Sequence, residues 1–308
     1  MYRTIALLAL CLIVSSAFSQ TTTYDFLRND VGARAAALGG SFQTATDDPN
    51  DVFYNPAGLA SLSSSKVSVG FFKHLMDINA GYASFGKEIP NLGYIGAGVI
   101  YYNYGEFQRT GEEGQNLGTF GAGDLALSVA YGGSLENGLH YGIGTKFIYS
   151  SIAEVHSSAV ALDAGVQYIA VQNRLLLGMS LLNLGTQISP YMNTRENLPL
   201  DLNIGASIYP EHLPATIFVG FHKLNEQYDN LGSRLKQFSI GAEFTASENV
   251  FLRFGYNNER RQELKIGTSA GLAGFSIGGG IATGSYLVDY AFTSFGSIGS
   301  VHRISVTF

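Results

Sequence analysis

Residues 65–308 alternate between apolar and polar side chains, and this period of two dominates the sequence. The alternating segments are about 9 to 13 residues long, close to what a tilted strand needs to cross a bilayer. The clearest is Leu200–Tyr209, in which the apolar residues share one face and polar residues such as Asp201 and Asn203 share the other. Because a repeat of two is that of a β-strand, we predict an all-β fold of about fourteen antiparallel strands.

Alternation alone fits two architectures, a soluble β-sandwich with its apolar face inward or a transmembrane β-barrel with that face outward. The strands are long, no helix interrupts them, short and long turns alternate, and the chain ends on the aromatic Phe308, all of which favour the barrel. Only 14% of the residues are charged, against about 25% in soluble domains. After the N-terminus no apolar run approaches the roughly 18 residues of a membrane-spanning helix, so strands must do the crossing.

Charged residues recur on the polar face of these strands. A polar inner face is typical of outer-membrane barrels. We therefore predict that the following side chains point into the lumen: Asp124, Lys146, Asp163, Asp201, Glu243, Arg253, Asp289 and Arg303.

The N-terminus has the three parts of a secretory signal peptide, namely a positive charge at Arg3, the apolar run Ile5–Val14 and small residues ending at Ser19. We predict a signal peptide over residues 1–19. The only cysteine, Cys11, lies within it, so the exported chain has no disulfide. The net charge of −6 and the pI of about 5.5 give no electrostatic support for a nucleic-acid partner.

The stretch Gly32–Leu59 lacks strand alternation. It combines a helix-compatible piece at Ala33–Leu38, a Gly39-Gly40 break, an acidic turn at Asp47–Asp51 and an Asn55-Pro56 stop. A lumen enclosed by about fourteen strands is too wide for wall side chains alone to fill. We therefore predict a plug over residues 20–64 inside a barrel over residues 65–308. Its acids are expected to pair with inner-face cations: Lys146, Arg253 and Arg303.

Several short matches to catalytic or metal motifs lack the structural context that their chemistry needs. Ser63 and Lys66 are spaced as in penicillin-recognising enzymes, but Lys66 opens a strand, and Gly274–Gly278 has the letters of a nucleophile elbow without the helix that should follow. The histidines have no paired metal spacing. The acidic turn lacks the glycine of a calcium loop. We predict no catalytic residue, cofactor or metal.

The plug sequence carries a family resemblance. Gly32–Gly40, Asp47-Asp48 and Asn55-Pro56-Ala57 are similar to the N-terminal signature of the PorV/PorQ family, a branch of the FadL-like outer-membrane barrels. Leu182–Gln187 and Leu252–Leu264, together with Gly271–Ser276, sharpen the match to the PorQ members, which belong to the type IX secretion system.

The resemblance implies a fourteen-stranded barrel whose N-terminal segment lies in or across the lumen. It also implies a non-enzymatic role in the outer membrane, as the anchor of the surface protein PorZ. That protein belongs to an attachment complex with PorU and PorV, which joins secreted cargo to anionic lipopolysaccharide. Only the plug motif carries over residue by residue, and its implied role is structural: Gly39, Gly40, Asn55, Pro56 and Ala57.

The longest polar connections are the predicted partner loops: Arg109–Phe120, Asn225–Arg234 and Glu259–Gly274, the last with the basic pair Arg260 and Arg261. The rival hypothesis is a FadL-like transporter of hydrophobic small molecules, which needs an apolar lumen pocket and a gap in the wall. The predicted lumen charges weigh against that transporter.

Overall fold

The computed structural model describes residues 22–73, 75, 78–228, 230–265 and 271–308, so the predicted signal peptide at 1–19 lies outside the described residues. Fourteen antiparallel strands close into one barrel in which each strand pairs with its sequence neighbours and β1 pairs with β14. This confirms the predicted fold class. The strands are β1 (Lys66–Lys73), β2 (Asn79–Ile89), β3 (Gly93–Thr110), β4 (Asn116–Leu135), β5 (Leu139–Ile152), β6 (Val155–Val171), β7 (Leu175–Ser189), β8 (Asp201–Ile208), β9 (Ala215–Phe221), β10 (Phe238–Ser247), β11 (Val250–Asn257), β12 (Phe275–Thr283), β13 (Tyr286–Ser294) and β14 (Ser300–Thr307).

The apolar face of the wall points outward. In β8, Ile204 and Ile208 are more than 40% exposed, while Asp201 and Asn203 are buried inside the barrel. A soluble sandwich would bury the isoleucines and expose the polar residues. The structure therefore excludes the sandwich and shows the arrangement of a membrane barrel.

Successive strands run in opposite directions, so their connections alternate between the two ends of the barrel. The three longest connections, 190–200, 222–237 and 258–274, all follow odd-numbered strands and lie at one end, here called the long-loop end. The connections after even-numbered strands span two to six residues and form the short-turn end. The polar loops predicted to bind a partner therefore share one end.

One of the three predicted partner loops is not a loop over most of its length. Residues 109–120 were predicted to form an irregular loop, which is wrong, because β3 and β4 continue as a paired hairpin until Thr110 and Asn116. Residues 109–116 at the tip of this hairpin are all polar or glycine, so they lack the alternation that marks a strand. The other two long loops contain short helices, α3 (Leu231–Arg234) and α4 (Asn258–Glu263). No helix among the described residues has the length and apolarity needed to span a membrane.

The plug enters the lumen at the long-loop end and leaves it at the short-turn end. Thr22 forms an isolated bridge with Asn197 in a long loop, and β1 begins at the other end at Lys66. Between these points lie a 3-10 turn at Asp25–Arg28, helix α1 (Ala33–Ala37), helix α2 (Asp51–Tyr54) and a 3-10 turn at Pro56–Ser61. The plug is therefore a chain of short elements that winds down the inner wall.

A row of glycines lets the plug approach the wall. Each of the eleven strands from β2 to β12 has a glycine at which an added Cβ would lie within 4 Å of a plug atom. Several are direct cross-strand neighbours. Because these positions lack side chains, plug atoms occupy the space that a wall side chain would otherwise fill. The row consists of Gly86, Gly96, Gly132, Gly142, Gly165, Gly178, Gly205, Gly220, Gly241, Gly255 and Gly278.

Gly142→Ala is expected to lower the free energy of unfolding by about 1 to 3 kcal/mol, the usual cost of overpacking a core. The new Cβ would overlap the backbone between Pro56 and Ala57. Thermal unfolding in detergent, followed by far-UV circular dichroism, measures the change. The control is Gly121→Ala, where the added Cβ meets only the Gly105 carbonyl oxygen at 3.8 Å. Equal unfolding midpoints for the two variants would contradict the close fit.

Candidate functional site

Arg34 on α1 ties the plug to the wall through an ion-pair network. Its guanidinium donates twice to the Glu243 carboxylate, at 2.9 Å for each bond, and its third nitrogen lies 3.3 Å from Asp48. Glu243 also accepts from Arg253 at 2.5 Å, and Arg253 donates to Asp289 at 2.5 Å. Bidentate arginine–carboxylate pairs are geometrically specific. The network therefore fixes the position of α1 against β10, β11 and β13.

The plug acids do not pair with the predicted wall cations, so that prediction is wrong. Asp47 binds Lys66 at 2.6 Å, and Asp48 binds Arg34 within the plug itself. Asp51 is fully buried, and both of its carboxylate oxygens lack a hydrogen-bond partner. Lys146, which was expected to meet these acids, lies 3.2 Å from Asp163.

The wall supplies its own partners for its cations, because acids stand on neighbouring strands. Glu243 lies directly opposite Arg253 in the β10–β11 ladder, where opposite charges stabilise a sheet. Arg303 differs, because no carboxylate among the described residues lies within salt-bridge distance of it. Its guanidinium lies 4.8 Å from the centre of the Phe72 ring and 3.4 Å from the Thr293 hydroxyl.

The eight charges predicted for the lumen are placed on the inner face of the wall. Seven are buried and Glu243 is half-buried. Asp124 accepts from Tyr104 at 2.5 Å and from Ser150, while Asp201 lies 3.6 Å from Arg28 of the plug. Six of the eight lumen charges therefore stand in ion pairs, whereas within the described residues Asp124 is bound only by hydroxyl groups and Arg303 has no carboxylate partner.

Gly39 and Gly40 of the plug motif form the bend after α1. Both have positive φ, 68° and 84°, a conformation that glycine adopts without steric cost. A Cβ on Gly39 would meet the Tyr256 backbone at 3.0 Å. Asn257 donates to the Gly39 carbonyl at 3.2 Å. The bend is therefore pressed against β11 and held there by a hydrogen bond.

Asn55, Pro56 and Ala57 join α2 to the last turn of the plug. Asn55 is extended, as predicted from the following proline, and its side chain accepts from the Ala57 amide at 3.2 Å. The same side chain donates to the carbonyls of Gln43 and Val166, at 2.8 and 3.2 Å. One buried asparagine thus connects two parts of the plug to β6.

An aromatic cavity of about 530 Å³ opens inside the barrel at the long-loop end. Its polar residues are Thr22, Thr23, Asp25, Asp124 and Ser150, and the rest of the lining is aromatic or apolar. The rings continue below it, since Phe26 and Tyr102 lie 5.6 Å apart, and Tyr102 stacks on Tyr104 at 6.1 Å. Such a surface suits a small apolar molecule. The aromatic lining consists of Tyr24, Phe26, Tyr104, Phe107, Phe120 and Tyr191.

Beside this cavity the wall is bulged and thin. Between two ladder pairs β3 has two residues, Tyr104 and Gly105, where β4 has only Ala122, the pattern of a β-bulge. The outer face carries a depression of about 660 Å³ at the bulge, and its lining includes Gly105, Gly121 and Gly123. Ala122 and Asp124 line both the cavity and the depression. The cavity and the depression therefore lie on opposite sides of the wall at Ala122 and Asp124.

The basic pair of the β11–β12 loop splits between the inside and the outside. Arg260 turns into the lumen, where it lies 2.8 Å from Asp30 of the plug and stacks over the Phe295 ring at 5.2 Å. Arg261 stays on the loop and donates to the Gly271 carbonyl at 3.2 Å. Of the two, Arg261 is the one placed to reach a molecule outside the barrel.

The short catalytic and metal motifs do not assemble into a site. Lys66 binds Asp47, and the Ser63 hydroxyl donates to the same carboxylate at 2.8 Å. Among the described residues, no group of three or more histidine, cysteine or acidic side chains is placed to hold a metal ion. Ser63, Lys66 and Asp47 instead connect the end of the plug to the start of β1.

No protein-family model matches the chain, and no curated protein sequence matches it. Solved structures do match. The toluene transporter TbuX of Ralstonia pickettii aligns with a TM-score of 0.60 at 13% identity, over 90% of this chain and 96% of that chain. The toluene transporter TodX of Pseudomonas putida gives 0.60 at 11% identity, over 93% and 98%. A FadL homologue of Pseudomonas aeruginosa gives 0.57 at 9% identity, over 91% and 98%.

The fold is that of the FadL-like barrels. At such low identities the likeness shows the architecture alone. It extends over nearly the full length of both chains.

Sequence reasoning missed the aromatic cavity. Its residues come from five segments, namely the plug, β3, β4, β5 and the β7–β8 loop, so no single stretch reveals it. Two local signals were available: the tyrosine cluster at Tyr101, Tyr102 and Tyr104, and the alternate glycines Gly121 and Gly123. Aromatic residues next to glycines on paired strands indicate a pocket beside a place where the wall is thin.

Asp51→Asn is expected to stabilise the barrel at about pH 8. Burial, with the neighbouring Asp48, raises the pKa of the Asp51 carboxyl well above its usual range. The folded state then holds a proton that the unfolded chain releases above about pH 4, so wild-type stability falls as the pH rises from there towards the raised pKa. The gain from asparagine, measured by urea unfolding in detergent, should grow over that interval.

Asp47→Asn is the control with the opposite sign. Burial opposes ionisation of Asp47, but hydrogen bonds from Lys66 and Ser63 outweigh it and hold its pKa below the usual range. Its ionised form contributes stability above the pKa of the unfolded chain, and this is lost as the pH falls through the folded pKa. The asparagine variant should therefore be less stable than wild type at about pH 8 and equal to it in acid. The same pH dependence for both variants would refute the assignment.

Proposed function

We propose that the chain is an outer-membrane barrel that binds small apolar molecules in the aromatic cavity and passes them sideways through the wall at the β3 bulge. The main observation in support of this proposal is that Ala122 and Asp124 line both the cavity and the outer depression. The outward apolar face supports a location in the membrane. The matched TbuX and TodX structures are of toluene transporters, which supports this class of ligand.

A lateral route fits the lumen better than an axial one. The plug fills the barrel from the long-loop end to the short-turn end, and it contacts the wall along the glycine row. The ion pairs of Arg34, Glu243 and Arg253 hold the plug against the inner wall. To move along the axis, an apolar molecule would have to displace the plug from these contacts, whereas at the bulge it would have to cross only the wall between the cavity and the outer depression. The lumen charges therefore do not exclude apolar transport.

Gly121→Leu is expected to abolish most uptake of a radiolabelled monoaromatic such as toluene by cells that depend on this barrel. The side chain would fill the outer depression, and its Cβ has room, so the barrel should fold. The control is Ala97→Leu, an equally outward substitution lower on β3. Wild-type uptake by Gly121→Leu at equal membrane levels would contradict the lateral route.

A second candidate function follows from the long-loop end. We propose that the chain acts, as its resemblance to PorQ implies, as the non-enzymatic anchor of a PorZ-like surface protein in the type IX attachment complex with PorU, PorV and lipopolysaccharide. Its longest polar connections share that end, and two apolar side chains protrude there, Leu231 at 70% and Leu235 at 50% exposure. Exposed apolar residues framed by polar ones are typical of protein interfaces.

Replacing both Leu231 and Leu235 with glutamate is expected to abolish co-purification of the PorZ-like protein from native cells, because charge would enter an apolar contact. Leu213→Glu is the control, since Leu213 is 44% exposed in a turn at the opposite end. Chemical cross-linking followed by mass spectrometry reads out the complex. Undiminished recovery of the partner by the double variant would reject this surface as the anchor.

A further inference from the structure

A second cavity, of about 370 Å³, lies at the long-loop end on the side of the lumen formed by β8, β11, β14, α4 and the start of the β9–β10 loop. The plug stretch 25–31 forms its opposite wall. It shares only Asp25 with the lining of the aromatic cavity. Its size is at the lower end of the range of about 300 to 1,000 Å³ for ligand sites. Unlike the aromatic cavity, it is lined mainly by charged and amide side chains.

One side of this cavity brings two arginines together. Arg303 and Arg260 both line it, and Asp30 is the carboxylate nearest to them, bound to Arg260 at 2.8 Å. Arg303 is 2% exposed. Its Nε and the Nη1 of Arg260 are buried without a hydrogen-bond partner. The guanidinium groups of Arg303 and Arg260 thus share the Asp30 carboxylate, and each keeps one N–H donor without an acceptor.

The other side has an excess of negative charge. Asp201 and Glu226 both approach Arg28, at 3.6 and 2.8 Å, and Lys223 pairs with Glu259. Three buried acceptor atoms at the cavity lack a donor: Asp201 Oδ1, Asn203 Oδ1 and Gln43 Oε1. This side therefore offers acceptors and negative charge to a cation.

The unbalanced arginine is the strongest argument for a ligand. A buried charge without a partner costs several kcal/mol, and buried polar atoms are normally hydrogen-bonded. Water can satisfy the donors but cannot neutralise the charge, whereas a carboxylate does both. We propose that this cavity binds a small zwitterion of amino-acid or dipeptide size, with its carboxylate at Arg303 and Arg260 and its ammonium at Asp201 and Asn203.

The test uses purified full-length barrel in mild detergent with two probes, alanyl-alanine and its N-acetylated, C-amidated form, which lacks both charges. Isothermal titration calorimetry should detect binding of the first and not of the second. Arg303→Met should weaken alanyl-alanine binding roughly 10- to 100-fold, the loss of one charged hydrogen bond. Equal binding of the two probes, or no binding of alanyl-alanine to wild type, would overturn the proposal.

Stability without ligand separates a binding role from a structural one. Arg303→Met removes an unbalanced charge, so its melting temperature should equal or exceed that of wild type. Lys146→Met is the control, because it leaves Asp163 without its ion-pair partner; it should melt lower and bind alanyl-alanine normally. A melting temperature lowered as in Lys146→Met, together with unchanged binding, would show that Arg303 is structural. If Arg303→Met does not fold, the comparison of the two probes on the wild-type barrel still decides whether the cavity binds a zwitterion.

This site is independent of the proposed transport route. Gly121→Leu, which fills the outer depression, should leave alanyl-alanine binding unchanged, and Arg303→Met should leave toluene uptake unchanged. A change in both readouts with either variant would contradict two separate sites.

Discussion

The structure depends on the close approach of the plug to a wall that carries a row of glycines along its path. Eleven strands contribute a glycine to this path, so the plug backbone packs where a barrel of this size would otherwise enclose a wide channel. The electrostatic contacts rely on the same approach. Arg34 reaches Glu243 because α1 lies directly on the wall, and Asn55 reaches the Val166 carbonyl for the same reason.

With the plug in place, the lumen is divided into two chemically different spaces. On the side of β3 to β6 the rings of Tyr104, Phe107 and Phe120 enclose the aromatic cavity beside the thin wall. On the side of β8 to β14 the arginines and carboxylates enclose the polar cavity. Both lie at the long-loop end, and the plug stretch 25–31 stands between them. One barrel thus presents an apolar and an ionic surface to the same side of the membrane.

Features that depend on a local sequence pattern were predicted correctly. Features that depend on which strands and loops lie side by side in the barrel were missed. Strand number, the lumen face and the extended Asn55 follow from alternation and from a proline, which act within a few residues. The pairing of Asp47 with Lys66 was missed, because the wall cations were expected to need plug acids. Glu243, standing opposite Arg253, already met that need. The 109–120 hairpin was missed because both of its faces meet water, which removes the alternation. The aromatic and polar cavities were missed because each draws residues from five or more distant segments.

The winding of the plug also constrains the order in which the molecule can be assembled. Thr22 is held at one end of the barrel, Lys66 starts the wall at the other, and the segment between them fits against a row too tight for added Cβ atoms. To enter a finished cylinder, Leu59 and Phe42, both fully buried, would have to pass along this tight row. We therefore expect the seam between the first and last strands to close around a plug that is already in position, so that the wall is built on the N-terminal part of the chain.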